Sequence, residues 1–230
     1  MKVLMIDLQN IKHKILDIDN FQIPKGYTCI IGENGSGKST LLNLLSGMDL
    51  SEKGSVYVNR RRIRDINVGY VPECPERQII FELVFDEIIS PLRFSFVISD
   101  EASEKTMAIS KLLGITHLLD KKTFALSGGE KAFVSLAVAI VSSPELLILD
   151  EPDSHLDFDT AGKLMSVLKK SGTDYVIHCT QNMEIAKTAD FLIYMEKGRI
   201  KFSGHPETVF KNLKNTNFFP VMWRLEEIVG

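Results

Sequence analysis

Apolar and polar positions along the chain follow two periods, one of two residues and one of three to four, and their succession outlines an α/β protein. Alternation over residues 3–8 and again over 16–23 predicts half-buried antiparallel strands. Pro24-Lys25-Gly26 is a turn before the apolar strand Tyr27-Thr28-Cys29-Ile30-Ile31. A helix buried on most faces is predicted over Lys38–Ser46, with Gly47 as its C-cap. Glu52-Lys53-Gly54 turns the chain into a short alternating strand at 55–58, and two prolines, Pro72 and Pro75, stop the next strand at 68–71. From 79 to 119 the pattern becomes helical, with Phe81, Val84, Phe85 and Ile88 at i, i+3, i+4 and i+7, and a separate helical lobe is predicted over 74–142.

Leu126-Ser127-Gly128-Gly129-Glu130 introduces an Ala/Val-rich helix that runs through Val141, and Ser127 with Glu130 has the spacing of a capping box. That structural role holds whether or not the loop carries chemistry. The uninterrupted apolar run at 146–149 fits a parallel strand covered on both faces. Ala161, Leu164, Met165 and Leu168 mark a crossover helix over 160–170, residues 175–180 form the next strand, and 191–195 with 199–203 form a hairpin around Glu196-Lys197-Gly198.

With 230 residues, 44% of them hydrophobic, the chain can bury a substantial core as one domain or two packed lobes. A net charge of −3 gives no whole-chain electrostatic reason to expect nucleic acid as a partner, and the basic cluster Arg60-Arg61-Arg62 with Arg64 reads as a solvated strand end or turn. Cys29, Cys74 and Cys179 are scattered without metal-ligand or paired spacing, which fits a reducing cytosol. The opening residues are too short an apolar run for a signal peptide, and no stretch reaches the roughly 20 apolar residues of a membrane span.

Candidate chemistry begins at Gly32-Glu33-Asn34-Gly35-Ser36-Gly37-Lys38-Ser39-Thr40, between the strand at 27–31 and a helix. Strand, glycine-rich loop and helix are the setting of a phosphate-binding P-loop. Its glycines turn successive N–H groups inward around phosphate, and the helix adds the positive end of its dipole. Lys38 would lie along the β- and γ-phosphates, Ser39 would offer its hydroxyl to Mg2+, and Thr40 would support the α-phosphate. Asp150 and Glu151 end an apolar strand about 110 residues later. There one carboxylate can hold Mg2+ while its neighbour orients or deprotonates a water in line with the γ-phosphate.

These three segments, 32–40, Leu126-Ser127-Gly128-Gly129-Glu130 and Leu149-Asp150-Glu151-Pro152, resemble in order and spacing the nucleotide-binding ATPase subunit of an ABC transporter. The resemblance spans nearly the whole chain. It implies an α/β P-loop NTPase: a RecA-like core with a mostly parallel sheet (1–73 and 143–210), an N-terminal antiparallel β-subdomain, a helical subdomain (74–142) and a tail (211–230). It implies ATP and Mg2+ as cofactors, and a head-to-tail dimer in which Ser127, Gly128 and Gly129 meet the nucleotide of a second ATPase subunit, identical or different. Ser154-His155-Leu156-Asp157 resembles the loop lining that interface. Transmembrane subunits would be the other partners, and the protein would lie peripherally on the cytoplasmic face of the membrane. Residues 69–78, Val84-Phe85-Asp86-Glu87-Ile88 and the tail from Gly204 are similar to ATPases of energy-coupling factor (ECF) vitamin and metal-ion importers. In these a groove near the Q-loop receives coupling helices, and some of Ile79, Ile80, Phe81 and Phe85 would line it, with core packing the ordinary role for any one of them.

Two positions depart from the family. Glu73 stands where the family has its Q-loop glutamine; it can ligate Mg2+ but adds negative charge beside the γ-phosphate. Gln181 stands on the switch histidine and cannot become cationic. His178, three residues earlier, points to the other face of its strand and reads as structural. At the adenine position stands His13, either a stacking platform or part of a solvated strand end. The leading reading is the ATPase of an ECF-type importer. A degenerate regulatory subunit, the ATPase of an exporter, and a soluble ABC protein of DNA repair or translation are the alternatives, the last lacking the long coiled-coil insertion or second cassette usual in that class.

Overall fold

The computed structural model describes residues 4–154, 156, 158–170 and 172–229. Its contacts divide the chain into two compact units, one made of the residues up to Ile66 together with those from Asp174 onward, the other of Asn67–Thr173.

The first unit opens with an antiparallel sheet. Strand β1 (Met5–His13) pairs with β2 (Leu16–Ile18) and β3 (Phe21–Pro24). Its register sets Ile6 opposite Ile23 and Ile11 opposite Ile18, all four buried, so the alternation of the sequence becomes one apolar face. Strand β4 (Gly26–Gly32) leaves that sheet and runs through the P-loop into helix α1 (Lys38–Ser46). Gly47 closes α1 in a left-handed C-cap at φ 75°. Strand β5 (Lys53–Val58) returns to pair with β1, and β6 (Arg61–Arg62) pairs with β5.

In the second unit β7 (Val68–Val71) runs parallel to β8 (Leu146–Asp150), which is buried along its whole length. Three helices lie between them in sequence: α2 (Val84–Phe94), α3 (Ser99–Leu113) and α4 (Gly128–Ile140). Helix α5 (Phe158–Lys170) follows β8 and buries Ala161, Leu164 and Leu168. The helical residues 74–142 thus fall inside a unit that also takes in β7, β8 and α5. The close approach of α4 to β7 accounts for that grouping. A Cβ built on Gly69 would stand 2.3 Å from the Ala139 carbonyl oxygen and 3.1 Å from Leu147 Cδ1, so only glycine lets the helix backbone rest on the strand. Helix α2 begins at Val84, later than the periodicity from residue 79 suggests. The amides of Ile80 and Phe81 are taken sideways by the Glu87 carboxylate at 2.9 and 2.7 Å, which holds that stretch out of the helix.

The chain returns to the first unit with β9 (Tyr175–Cys179), a short α6 (Met183–Ala186) and β10 (Phe191–Glu196), both strands lying parallel to β4. Strand β11 (Arg199–Gly204) pairs antiparallel with β10, the hairpin the sequence indicated; its turn is the two residues Lys197-Gly198, both left-handed at φ 49° and 79°, with Glu196 inside β10. Helix α7 (Pro206–Lys211) and α8 (Val221–Val229) complete the tail, with the Trp223 ring edge-on to Phe210 and Phe219.

Gly69→Ala is expected to cost about 1–3 kcal/mol of stability by overpacking. A urea unfolding curve would show a lower midpoint at unchanged slope; an unshifted midpoint would mean that α4 does not rest on β7 this closely.

Candidate functional site

The P-loop is held open by backbone geometry that the glycines supply. A Cβ on Gly32 would stand 2.3 Å from the Met195 carbonyl oxygen, and one on Gly37, at φ 101°, would stand 2.8 Å from Leu16 Cδ2. The hairpin turn braces the loop, because the Gly198 N–H donates to the Ser36 carbonyl at 2.9 Å. Lys38 is only 6% exposed; its ammonium donates to the carbonyls of Gly32 at 2.8 Å and Glu33 at 3.0 Å. Ser36 is buried, and its hydroxyl lacks a partner among the described residues. No side chain caps the N-terminus of α1, so its first amides remain available to an anion. A buried hydroxyl, a clustered ammonium and free helix-start amides are the donors a polyphosphate requires, and the loop fits one. Asn34, Gly35 and Ser39 are exposed, and Thr40 is partly so.

Gln181 follows β9 and donates from Nε2 to Asn34 Oδ1 at 3.4 Å, which brings this side chain to the P-loop within one unit. Asn182, next in sequence, accepts the Glu184 and Ile185 amides and starts α6. His178 is fully buried with Nδ1 2.8 Å from the Tyr27 hydroxyl, which itself accepts from the Cys29 thiol, so the histidine is structural, as its place in the strand indicated.

His13 closes β1 but is not part of a solvated strand end. It is 7% exposed, with Nε2 3.3 Å from Asp49 and Nδ1 3.6 Å from Glu52. The ring is drawn in by two carboxylates that follow α1, a pairing across 36 residues for His13 and Asp49 that local sequence does not encode. Lys14 lies 2.6 Å from Asp49 and, with His13, holds that carboxyl below the usual carboxylate range.

In the second unit Asp150 ends β8 with 8% exposure, and Tyr70 donates its hydroxyl to Asp150 Oδ2 at 3.3 Å. Tyr70 was not among the expected site residues. The strand pairing brings it there: in the parallel register Val71 pairs with Leu149, the residue before Asp150, so the end of β7 lies beside the end of β8. Glu151 adopts a left-handed φ of 49°, a costly conformation for a non-glycine residue and one that gathers at functional sites. Glu73 is exposed just beyond β7. Of the interface loop, Ser154 is exposed and Leu156 half-buried; His155 and Asp157 lie outside the described residues. Hydroxyl and carboxylate oxygens make up the expected Mg2+ donor set of Ser39, Asp150 and Glu73. Among the described residues no group of three or more acidic, His or Cys side chains could hold a metal.

The signature loop is built as a capping box. Glu130 N–H donates to Ser127 Oγ at 3.3 Å, and Ser127 N–H donates to Glu130 Oε2 at 2.8 Å. Ser127 and Gly128 are exposed and Gly129 is half-buried, so the positive end of α4 faces outward. The Ser127 amide, with Lys121 at 3.2 Å, holds the Glu130 carboxyl below its ordinary value. A groove of about 630 Å3 in the same unit is lined by Ile79, Ile80, Glu87, Ser90, Val134 and Ser135 among others; of the four expected apolar residues, Phe81 and Phe85 are not on it.

Strand, P-loop and helix beside an antiparallel N-terminal sheet make this an α/β P-loop nucleoside triphosphatase. A family model described as ABC transporter matches residues 16–154. The chain is similar to the energy-coupling factor transporter ATP-binding protein EcfA1 of Fusobacterium nucleatum, 32% identical over 98% of this chain and 90% of the relative. It is likewise similar to EcfA2 of Acetivibrio thermocellus, 37% identical over 86% and 75%. Among solved structures, cbiO1 from Clostridium perfringens, described as part of the ABC transporter complex cbiONQ, superimposes with a TM-score of 0.84 at 25% identity, covering 99% of both chains. A dimeric ATP-binding cassette in a post-hydrolysis state with ADP and Pi gives 0.77 at 23% identity over 88% of this chain and 99% of that one, a likeness of fold. The chain belongs to the ABC transporter family as an ATPase subunit of the kind that powers membrane transporters. No helix among the described residues is long and apolar enough to cross a membrane.

A depressed carboxyl stabilises above its unfolded pKa, and that stability is lost as pH falls through the folded value. Glu130→Gln keeps the capping geometry but not the charge. Wild type is therefore expected to melt higher than Glu130→Gln at pH 7, and the gap to close as pH falls below the ordinary glutamate range and through the lowered folded value; a gap that persists in strong acid would remove the charge from the explanation.

Proposed function

We propose that this chain is the ATP-hydrolysing subunit of an ECF-type vitamin or metal-ion importer, working as a head-to-tail dimer on the cytoplasmic face of the membrane against transmembrane subunits. The observation that carries the reading is the P-loop itself, with Lys38 folded onto the carbonyls of Gly32 and Glu33 beside the unpartnered Ser36 hydroxyl. The similarity to ECF transporter ATP-binding proteins along nearly the whole chain narrows the class of transporter.

In this reading Gly32, Asn34, Gly35, Ser36 and Gly37 wrap the phosphate chain, Lys38 neutralises its β- and γ-oxygens, and Thr40 supports the α-phosphate. Ser39 and Asp150 would hold Mg2+, with Glu73 as a further oxygen donor; the bound ion supplies charge neutralisation on the phosphates. Tyr70, which donates to Asp150, helps to orient its carboxylate. Glu151 accepts the proton of the attacking water. Ser127, Gly128 and Gly129 address the γ-phosphate of the facing subunit with a hydroxyl and the amides at the start of α4. His13, held between Asp49 and Glu52, would meet the base at the adenine position. Ile79 and Ile80 line the groove that would receive a helix of the membrane subunit.

Glu73 and Gln181 make hydrolysis slow in a homodimer. A carboxylate beside the γ-phosphate opposes the nucleotide whenever the metal is absent, and the Gln181 amide donates a neutral hydrogen bond where the family has an ionisable ring. These residues favour a partner subunit in the membrane complex that is a different chain and brings a complete site, and they equally favour a second reading as a regulatory subunit that binds ATP and turns it over little.

Two measurements test this. Glu151→Gln is expected to trap an ATP-bound dimer in size-exclusion chromatography with MgATP; monomer alone would sink the sandwich mechanism for the isolated protein. Gln181→His is expected to raise steady-state phosphate release by at least about tenfold. Wild-type turnover typical of ABC ATPases, unchanged in Gln181→Ala, would remove Gln181 as the cause of slow hydrolysis.

A further inference from the structure

Between the groove and the signature loop, the second unit contains a short antiparallel clip to which the nucleotide chemistry gives no role. Residues 80–84 run beside 119–123, with Leu83 and Lys122 as a bridge pair. Val84 N–H donates to the Lys121 carbonyl at 3.1 Å, and Thr123 N–H to the Glu82 carbonyl at 2.8 Å. Lys122 and Glu82 pair on the outside at 2.7 Å. Two buried side chains close the clip. Glu87, 4% exposed, accepts the amides of Ile80 and Phe81 on one carboxylate oxygen. Thr123, also 4% exposed, donates its hydroxyl to the Phe81 carbonyl at 2.8 Å. The Phe81 residue is therefore gripped at both its N–H and its C=O.

One end of this clip is the groove wall, Ile79 and Ile80. The other leads within four residues to Ser127, through Leu126, which is 6% exposed. A second tie runs alongside, since Lys131 in α4 lies 3.1 Å from Glu76, which follows Glu73 by three positions. Shifting the groove wall without the signature strap would strand a buried hydroxyl and pull on a buried carboxylate, both costly when left unpaired. The wall and the strap therefore move as one piece.

We propose that Thr123 is a positioning residue that ties the groove wall to the signature loop, so that a helix of the membrane subunit seated on Ile79 and Ile80 sets the placement of Ser127. This rests on the reading that the groove receives the membrane subunit and that Ser127 addresses ATP. It adds a named hydroxyl through which the two are coupled.

The test uses tagged full-length protein recovered from detergent-solubilised membranes with the membrane subunits that accompany it. ATP hydrolysis is measured in that complex and on the isolated chain. Thr123→Val is expected to assemble normally, to hydrolyse within about twofold of wild type alone, and to lose about tenfold in the complex. Thr123→Ser, which keeps the hydroxyl, is expected to restore the complex rate, and melting curves of all variants separate coupling from loss of fold. A Thr123→Val complex as active as wild type overturns the proposal. So does a serine variant as impaired as the valine one, or a valine variant that slows or unfolds the isolated chain to the same extent. Ile80→Lys, at a position 79% exposed and so tolerated by the fold, is expected to block assembly. If Ile80→Lys assembles with wild-type yield, the groove reading itself falls and the coupling with it; if it blocks assembly while Thr123→Val behaves as wild type, only the coupling falls.

Discussion

A peptide loop can offer its N–H groups to phosphate when its carbonyl oxygens are turned away from it, and in the P-loop those of Gly32, Glu33 and Ser36 are held by partners of their own. The Gly32 and Glu33 carbonyls take the Lys38 ammonium, the Glu33 carbonyl also takes the Ser36 amide, and the Ser36 carbonyl takes the amide of Gly198 in the β10–β11 turn. The last of these is a long-range tie, and much of the first unit supports it. The turn can come that close because Gly198 lacks a side chain; a Cβ there would stand 1.9 Å from the Ile15 carbonyl oxygen. The glycine between β10 and β11 is as much a part of the phosphate cradle as those inside the loop.

The second unit solves the opposite problem. Its signature helix needs an outward-facing N-terminus, and a helix start exposed without a cap frays. Ser127 and Glu130 satisfy each other's amides, and Lys121 fixes the carboxylate, leaving Gly128 and Gly129 free of side chains over the exposed amides. Gly69 then anchors the far part of the same helix on β7, next to the strand that ends in Asp150. Loop, helix and acidic strand end are thereby one mechanical piece.

Features set by neighbours in sequence were legible in the chain. The P-loop, the capping box, the β10–β11 hairpin and the buried run at 146–149 each carry their signal within about ten residues, and each stands in the structure as the pattern indicated. The differences arise where a distant or buried partner decides. Periodicity placed Phe81 in a helix, but Thr123, 42 residues on, claims its carbonyl. The solvated strand end offered for His13 is instead buried, because Asp49 and Glu52, beyond the intervening P-loop and helix, lie beside it. Tyr70 escaped notice because its partner Asp150 is 80 residues away and becomes its neighbour only through the pairing of β7 with β8. Family membership was legible for a different reason: three local motifs in a fixed order are a specific signature even when the contacts between them are not encoded locally.

The tail that docks through Trp223 against Phe210 and Phe219 also gives the molecule a built-in spectroscopic label. Trp223 is the sole tryptophan of the chain, and it belongs to the first unit. Of the three cysteines, Cys29 and Cys179 are fully buried in that same unit, whereas Cys74 in the second is partly open to reagents. The unaltered sequence therefore provides a fluorescent reporter on one unit and a partly accessible thiol for a dye on the other, without a single engineered residue.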